Sequence, residues 1–325
     1  MSNQLLDFIN KANKIAIFTH KNPDGDALGS ALMMYEFLDL YFKDKKKAIF
    51  TDFVTLSKEF KVITKGIELN PNDRDFDSAI CLDTGDKKLF GVYEPLFDSI
   101  KQSICIDHHN SHINYAQINL VECLSSNCEY LYNVLKGTGL EITKKMGKYA
   151  CVGIMTDTNA LSNNNVEAGT YKTVAELAEL GVDVYGIRKL FFSGQSIEKY
   201  NLVARAMNKV EFLLNNMVMF ISLTKKDFKE FGLDENDTVG IINRAFYMKD
   251  AYSCFLVTPR DGINHISMRS VEGIDVSKIA ESFGGGGHVC AAACNTSLSI
   301  KNIKKEIIAQ MKKQIEKFNP INAIF

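Results

Sequence analysis

Six side chains able to grip divalent cations are spread along the first half of the chain: His20, Asp24, Asp26, Asp83, His108 and Asp157. They fall in four groups, each behind a short apolar run. His20-Lys21-Asn22-Pro23-Asp24-Gly25-Asp26 puts one imidazole and two carboxylates on one turn after Lys14 to Thr19. Asp83 stands alone in Cys81-Leu82-Asp83-Thr84, Asp107-His108-His109 follows Ile104-Cys105-Ile106, and Asp157 lies in Gly153-Ile154-Met155-Thr156-Asp157-Thr158. Carboxylates and imidazoles without a thiolate suit manganese or magnesium better than a structural zinc. Four or five carboxylates are excessive around one ion. Two ions roughly 3.5–4 Å apart use that charge and activate a water for in-line attack on phosphorus. A bridging carboxylate is then expected, and Asp83, isolated on its own strand, is the candidate. Taken singly, any of these aspartates reads as a helix cap or turn former, and a lone histidine as a packed core residue. Four such groups in order, each at an expected strand end, favour the metal reading.

Residues so far apart must be gathered by a fold. A parallel α/β sheet does this outside the carboxyl ends of its strands. Strands are expected at about 14–20, 47–52, 78–83 and 102–107, with helices between. Leu28, Ala31, Leu32, Tyr35 and Leu38 follow the helical period, so the His20–Asp26 turn should feed a helix N-terminus, where amides favour an anion. Ala168 to Leu190 reads as helical and closes a first domain, 1–190; a connector, 191–208, leads to a second, 209–325. There Val210 to Leu214, Met217 to Leu223, Tyr252 to Val257 and Asn264 to Ser270 are strand-like, giving a smaller α/β unit whose cleft with the first is expected to enclose substrate. Gly284 to Gly287 let the backbone approach a phosphate closely, and we expect them at a helix start. Arg269, in the same domain, can hold phosphate in a bidentate fork.

His20-x-x-x-Asp24-x-Asp26, Asp83, Asp107-His108-His109 and Thr156-Asp157-Thr158, in this order, resemble the four motifs of the DHH phosphoesterases. His265-Ile266-Ser267-Met268-Arg269-Ser270, Ile274 to Ala280 and Phe283-Gly284-Gly285-Gly286-Gly287-His288 resemble the signature of the DHH-associated domain. The resemblance covers nearly the whole chain and is greatest to the branch of small oligoribonucleases that also act on 3′-phosphoadenosine 5′-phosphate. It implies an α/β fold, a parallel-sheet catalytic domain joined by a helical connector to the smaller domain. It also implies two divalent ions, manganese or else magnesium, with His20, Asp24 and Asp83 on one and Asp26, Asp83, His108 and Asp157 on the other. His109 is suited to contact the scissile phosphate or protonate the leaving group, and Asp107 reads equally as a group that orients His108 or its neighbour and as a strand-terminal turn residue. By the same resemblance Ser267, Arg269, Gly285, Gly286, Gly287 and His288 would hold the nucleotide. Two departures stand out. The family usually follows Thr-Asp-Thr with Gly, an aromatic and a basic residue, where this chain has Asn159 to Asn163; Cys294 replaces a glycine of the usual Ala-Ala-Gly. Neither removes a metal ligand, so activity is expected with a shifted substrate preference.

With 325 residues, 46% hydrophobic and 24% charged, the chain is long enough for two domains with separate cores. Met1 to Asn10 lacks a basic start and carries Asp7, and no apolar run reaches membrane-spanning length, so a cytoplasmic protein with no membrane partner is expected. A net charge of −1 argues against coating long duplex nucleic acid, which needs clustered Lys and Arg. Short single-stranded RNA, dinucleotides and a nucleoside bisphosphate remain as partners. The apolar end Ile321 to Phe325 leaves a homodimer open. Cys81, Cys105, Cys151 and Cys254 read as reduced core residues. His288, Cys290 and Cys294 have no partner pair to complete a zinc set. A cyclic- or linear-dinucleotide phosphodiesterase is the main alternative. The glycine-rich segment argues against a pyrophosphatase, and the complete carboxylate set argues against a non-catalytic module.

Overall fold

A computed structural model describes residues 1–192, 196–234, 238, 240–246, 251–260 and 262–318. The end from Ile321 to Phe325 lies outside the described residues. The chain divides into two units, Met1–Gly194 and Gln195–Phe325.

In the first unit the order is α1 (Ser2–Lys11), β1 (Lys14–Phe18), α2 (Gly25–Tyr41), β2 (Lys46–Phe50), α3 (Lys58–Ile63), β3 (Ser78–Leu82), α4 (Glu94–Ser99), β4 (Gln102–Asp107) and β5 (Ile118–Val121). Four further helices follow: α5 (Asn127–Lys136), α6 (Lys144–Asp157), α7 (Ala168–Glu179) and α8 (Val184–Phe192). The strands form one parallel sheet in the order β2-β1-β3-β4-β5. Side-chain alternation divides its faces. Ile15, Ile17, Ile80, Leu82, Ile104 and Ile106 turn to a core shared with α1, α2, α5 and α6. Ala16, Phe18, Ala79, Cys81 and Cys105 turn the other way, onto Phe50, Phe76, Phe90 and Phe97. Each fully buried Ile or Leu contributes about 1.5–3 kcal/mol by leaving water. Strand order reverses between β1 and β3, and at such a switch point the carboxyl ends open a crevice.

The four expected strands are present, and β5 is an additional one. Ala168 to Leu190 is not one helix. Gly181, at φ 83°, turns the chain between α7 and α8, a left-handed cap that glycine adopts without a Cβ clash.

In the second unit α9 (Ile197–Asn208) precedes β6 (Glu211–Leu213), β7 (Val218–Ser222), α10 (Lys225–Glu230), α11 (Ile241–Ala245), β8 (Ser253–Arg260), β9 (Ile263–Ser270), α12 (Val276–Ser282), β10 (Gly286–His288), β11 (Ala291–Thr296) and α13 (Ile300–Ile315). Within the stretch read as a connector, α9 buries Leu202, Val203 and Ala206 among Met219, Ile221 and Phe228 of this unit. The sheet runs β10-β11-β9-β8-β7-β6, antiparallel except for β7 with β8. Ile303, Ile307 and Met311 of α13 close its other core at helical spacing.

Candidate metal centre

His20 and Asp83 leave the sheet at the two strands that flank the switch point. Nδ1 of His20 lies 2.9 Å from the Lys21 carbonyl oxygen, so Nδ1–H donates there and Nε2 is turned inward. Nε2 stands 3.6 Å from Asp83 Oδ2 and 3.8 Å from Asp24 Oδ1. His108 repeats the arrangement. Its Nδ1 is 3.2 Å from the Leu124 carbonyl, while Nε2 is 3.4 Å from Asp83 Oδ1, 3.7 Å from Asp26 Oδ2 and 3.9 Å from Asp157 Oδ2. A backbone acceptor on the outer nitrogen fixes the tautomer in which the inner one can ligate. The inner distances exceed those of good hydrogen bonds. They approach the spacing of donors that share one cation, since two atoms each about 2.1 Å from an ion lie about 3 Å or more apart.

Asp83 has a left-handed backbone, φ 53°, which a short carboxylate tolerates better than most side chains. It is only 2% exposed, and its Oδ1 has no hydrogen-bond partner. A buried oxygen left unsatisfied is costly, and a cation held beside His108 Nε2, 3.4 Å from that oxygen, would satisfy it. Asp26 is equally buried and sits on the N-terminus of α5: Oδ2 accepts from the Asn127 amide at 2.6 Å and Oδ1 from the Cys128 amide at 2.8 Å. Asp24 caps α2 through Oδ1, which accepts from the Asp26 and Ala27 amides, both at 3.0 Å. The cap and the metal reading therefore fall on the same carboxylate. Ligand atoms of His20, Asp24 and Asp83 lie within 4.8 Å of one another, as do those of Asp26, His108 and Asp157.

The electrostatics suit a cation. Burial works against charge on His20, but the nearby carboxylates of Asp24 and Asp83 outweigh it and raise its pKa to about 11. His108 rises against its burial for the same reason, chiefly through Asp83. Burial, then Asp83 and Asp157, push Asp26 up. Burial also opposes the charge of Asp83, yet the imidazoles of His108 and His20 carry it below the usual carboxylate range.

Asp157 does not stand at a strand end as expected; it is the last residue of α6. The apolar run before it, Cys151 to Met155, is buried on all sides between α2 and its neighbours, so a helix there has no polar face to reveal its period. The contact is close enough to need glycine. A Cβ on Gly153 would lie 2.2 Å from Cys128 Sγ and 2.5 Å from Asp26 Oδ1, and one on Gly25 would lie 2.4 Å from Thr156 Oγ1.

Two supports gave no signal in the sequence. Asn127 is fully buried. With its amide oriented so that each end meets a complementary group, Nδ2 donates to the Ile106 carbonyl at 2.9 Å, and Oδ1 accepts from Ser30 Oγ at 2.9 Å and the Asp83 amide at 3.2 Å. It thus ties the backbone of one ligand and, through its own amide, the carboxylate of another. The second is His112. Asp107 is completely buried and receives two imidazoles, His109 Nδ1 on Oδ1 and His112 Nδ1 on Oδ2, each at 2.7 Å. Burial alone would raise the Asp107 pKa, but His109 and His112 hold it below its ordinary value. His109, bonded to Asp107 and nearly half exposed, is raised. Its Nδ1 also lies 3.8 Å from Asp83 Oδ1, but the shorter bond commits that nitrogen to Asp107.

In the second unit the sheet register aligns the predicted substrate residues. Arg269 pairs with Ala291, which pairs with His288; Ser267 pairs with Ala293, which pairs with Gly286. Arg269 and His288 therefore share a face two strands apart, about 10 Å, with only a methyl group between. Arg269 Nε donates to Asn243 Oδ1 at 3.1 Å and Nη1 to the Met268 carbonyl at 2.9 Å, and burial lowers its pKa. The glycine run corrects our expectation of a helix start. It follows the end of α12, where the Gly284 amide bonds the Glu281 carbonyl and the Gly285 amide the Ala280 carbonyl, both at 2.9 Å. Gly284, at φ 77°, is the left-handed cap of that pattern, and the chain then enters β10. Glycine is also needed for packing: a Cβ on Gly285 would lie 2.3 Å from the Ala293 carbonyl.

A doubly wound parallel sheet carrying histidines and buried carboxylates at its switch point defines a metal-dependent hydrolase. Residues 14–179 match the DHH family, N-terminal domain, and residues 215–317 match the DHHA1 domain. The chain belongs to the DHH family. It is 27% identical to the bifunctional oligoribonuclease and PAP phosphatase NrnA of Thermus thermophilus, over 86% of this chain and 82% of that protein. It is 24% identical to a probable manganese-dependent inorganic pyrophosphatase of Staphylococcus aureus, over 83% of this chain and 89% of that one. The crystal structure of an exopolyphosphatase-related protein from Bacteroides fragilis superposes with a TM-score of 0.84 at 24% identity, covering 98% and 96% of the two chains.

Proposed function

We propose that this enzyme hydrolyses short RNA oligonucleotides, from dinucleotides to about five residues, to mononucleotides, and removes phosphate from 3′-phosphoadenosine 5′-phosphate. The observation that carries the metal part is the buried carboxylate of Asp83, its Oδ1 unpaired, set between two imidazoles that turn Nε2 toward it, His20 toward Oδ2 and His108 toward Oδ1. The similarity to the Thermus protein supports the substrate class. His20, Asp24 and Asp83 would hold one ion and Asp26, Asp83, His108 and Asp157 a second, manganese before magnesium. Bound there, the pair supplies Lewis acidity and an activated water for attack on phosphorus. The protein's own groups do the rest. Asp83 stays ionised between the imidazoles and is shared by both sets. Asp26 is aimed by two amides of α5. His109, oriented by Asp107, presents Nε2 to the substrate and, with its ring protonated on both nitrogens, gives the Nε2 proton to the leaving oxygen while Nδ1–H stays on Asp107. Arg269, Ser267, His288 and the backbone of Gly285, Gly286 and Gly287 hold nucleotide phosphate. Among the described residues no helix is long and apolar enough to cross a membrane, and we infer a cytoplasmic enzyme.

The test is product release with manganese from a 5′-labelled RNA dinucleotide, a pentamer, a twenty-residue RNA, 3′-phosphoadenosine 5′-phosphate, cyclic di-AMP and pyrophosphate, with Asp83→Ala as blank. Preferred turnover of the dinucleotide and pentamer is expected. Turnover of pyrophosphate or the cyclic dinucleotide alone would overturn the substrate assignment and leave the metal centre.

A further inference from the structure

We propose that His112 is a positioning residue for this reaction, holding Asp107 so that Asp107 in turn holds His109. The proposal rests on the phosphoester-hydrolase reading above and adds a group to it. Asp107 ends β4 completely buried, and each of its oxygens is taken by a different imidazole at 2.7 Å. Without His112, Oδ2 would be a buried carboxylate oxygen lacking its donor, and the carboxylate would be free to rotate away from His109. The far side of His112 is fixed as well. Its Nε2 lies 3.2 Å from Asn119 Oδ1, and the amide of Asn119 is itself oriented, donating from Nδ2 to the Ala116 carbonyl at 2.7 Å and accepting the Ala116 amide at 3.3 Å. The ring also stacks obliquely on Tyr115, centroids 5.6 Å apart. A line of contacts thus runs from Asn119 on β5 through His112 and Asp107 to His109. His109 is the least buried of the four, and with Nδ1 committed to Asp107 its Nε2 is the nitrogen available to a substrate. The side chain of His112 is 4% exposed and, among the described residues, belongs to none of the groups of potential metal-binding side chains, so it acts through its neighbours and not on a cation.

The test uses full-length protein with manganese. His112→Phe keeps the ring volume and removes both nitrogens; His112→Asn keeps a donor near the position of Nδ1. We expect kcat of His112→Phe to fall about 10- to 100-fold, by analogy with the range for partners that orient metal-ligating histidines. KM and manganese affinity by calorimetry stay unchanged, and His112→Asn recovers most of the loss. Combined with His109→Asn, His112→Phe should cost nothing further. An unchanged kcat, an additive loss in the double variant, or a fall in manganese affinity would overturn the proposal. Imidazole nitrogen NMR separates it from the substrate assignment. In the wild type the His109 signal should be that of a ring whose Nδ1–H is bonded to Asp107; His112→Phe should lose this signature even if no tested substrate turns over, and its persistence would refute the role. If His112→Phe does not fold, Asn119→Ala, which leaves His112 in place, should give the same changes at smaller amplitude; wild-type kcat and an unchanged His109 signal in that variant would equally refute it.

Discussion

The packing behind the metal centre makes Gly153→Ala a stringent test. The methyl group would arrive 2.2 Å from Cys128 Sγ and 2.5 Å from both Cys128 Cβ and Asp26 Oδ1. Unbonded heavy atoms rest at about 3.5–4.0 Å, so both residues must retreat by about 1 Å. They cannot retreat together freely, because Asp26 Oδ1 accepts the Cys128 amide at 2.8 Å and Oδ2 the Asn127 amide at 2.6 Å. Overpacking costs about 1–3 kcal/mol, and weakening buried hydrogen bonds to a carboxylate adds about 1–3 kcal/mol. Alanine's better helix propensity returns about 1 kcal/mol. The net is a loss of about 1–5 kcal/mol, which for a unit of this size lowers Tm by about 2–20 °C, about 9 °C at the middle of the range. Gly169→Ala is the control: its Cβ meets only Glu129 Oε1, at 3.4 Å, so it should be neutral or stabilise slightly. Differential scanning calorimetry with and without manganese reads both effects, since a ligand at about 100 times its Kd adds about 2.7 kcal/mol to the wild type. Gly153→Ala should lose Tm and most of the manganese-induced shift. Wild-type values for both would show that Gly153 does not hold Asp26 in place.

Asp83→Asn should abolish manganese-induced stabilisation while leaving the metal-free fold intact, as calorimetry in EDTA would show, because only a cation uses the unpaired Oδ1. Gly286→Ala meets no atom within 4 Å, whereas Gly285→Ala runs into the Ala293 carbonyl; the first should raise KM at constant Tm and the second should lower Tm, which separates ligand approach from packing. In the second unit, Asp227 accepts from Lys209 Nζ at 2.6 Å and from the Thr224 amide at 2.7 Å. Burial works against its charge, but these partners hold the carboxyl well below the usual range. A depressed folded-state pKa means the stabilisation is complete above the unfolded value of about 3.9 and is lost as pH falls through the folded one. Asp227→Asn should therefore cost about 1–3 kcal/mol at neutral pH and flatten the acid limb of a urea-unfolding series below about pH 4.

The legible part of this protein is its short, bounded apolar runs. Ile15, Ile17 and Phe18, or Ile104, Cys105 and Ile106, are short apolar runs ended by a polar residue, so four strands and the groups at their ends could be read directly. Asp157 could be read as a ligand but not as a helical residue, because its approach run is buried on every side. β5 is four residues at a sheet edge with only Leu120 buried. The glycine run carried the correct signal for close backbone approach, but the cap it forms depends on α12 ending at Ser282, which the pattern of that segment does not mark. Asn127 and His112 were invisible for another reason. Their importance lies in what they touch 21 to 101 positions away, or through a third residue, and no local spacing encodes that.

The central claim is that the imidazoles and carboxylates at the switch point hold divalent ions for hydrolysis of short RNA. Manganese-dependent release of mononucleotide from a 5′-labelled RNA dinucleotide, measured for wild type and Asp83→Ala at matched folded concentration, tests it most directly. The account predicts turnover that requires manganese and vanishes in Asp83→Ala. Equal turnover by the two proteins, or turnover that persists in EDTA, would contradict it.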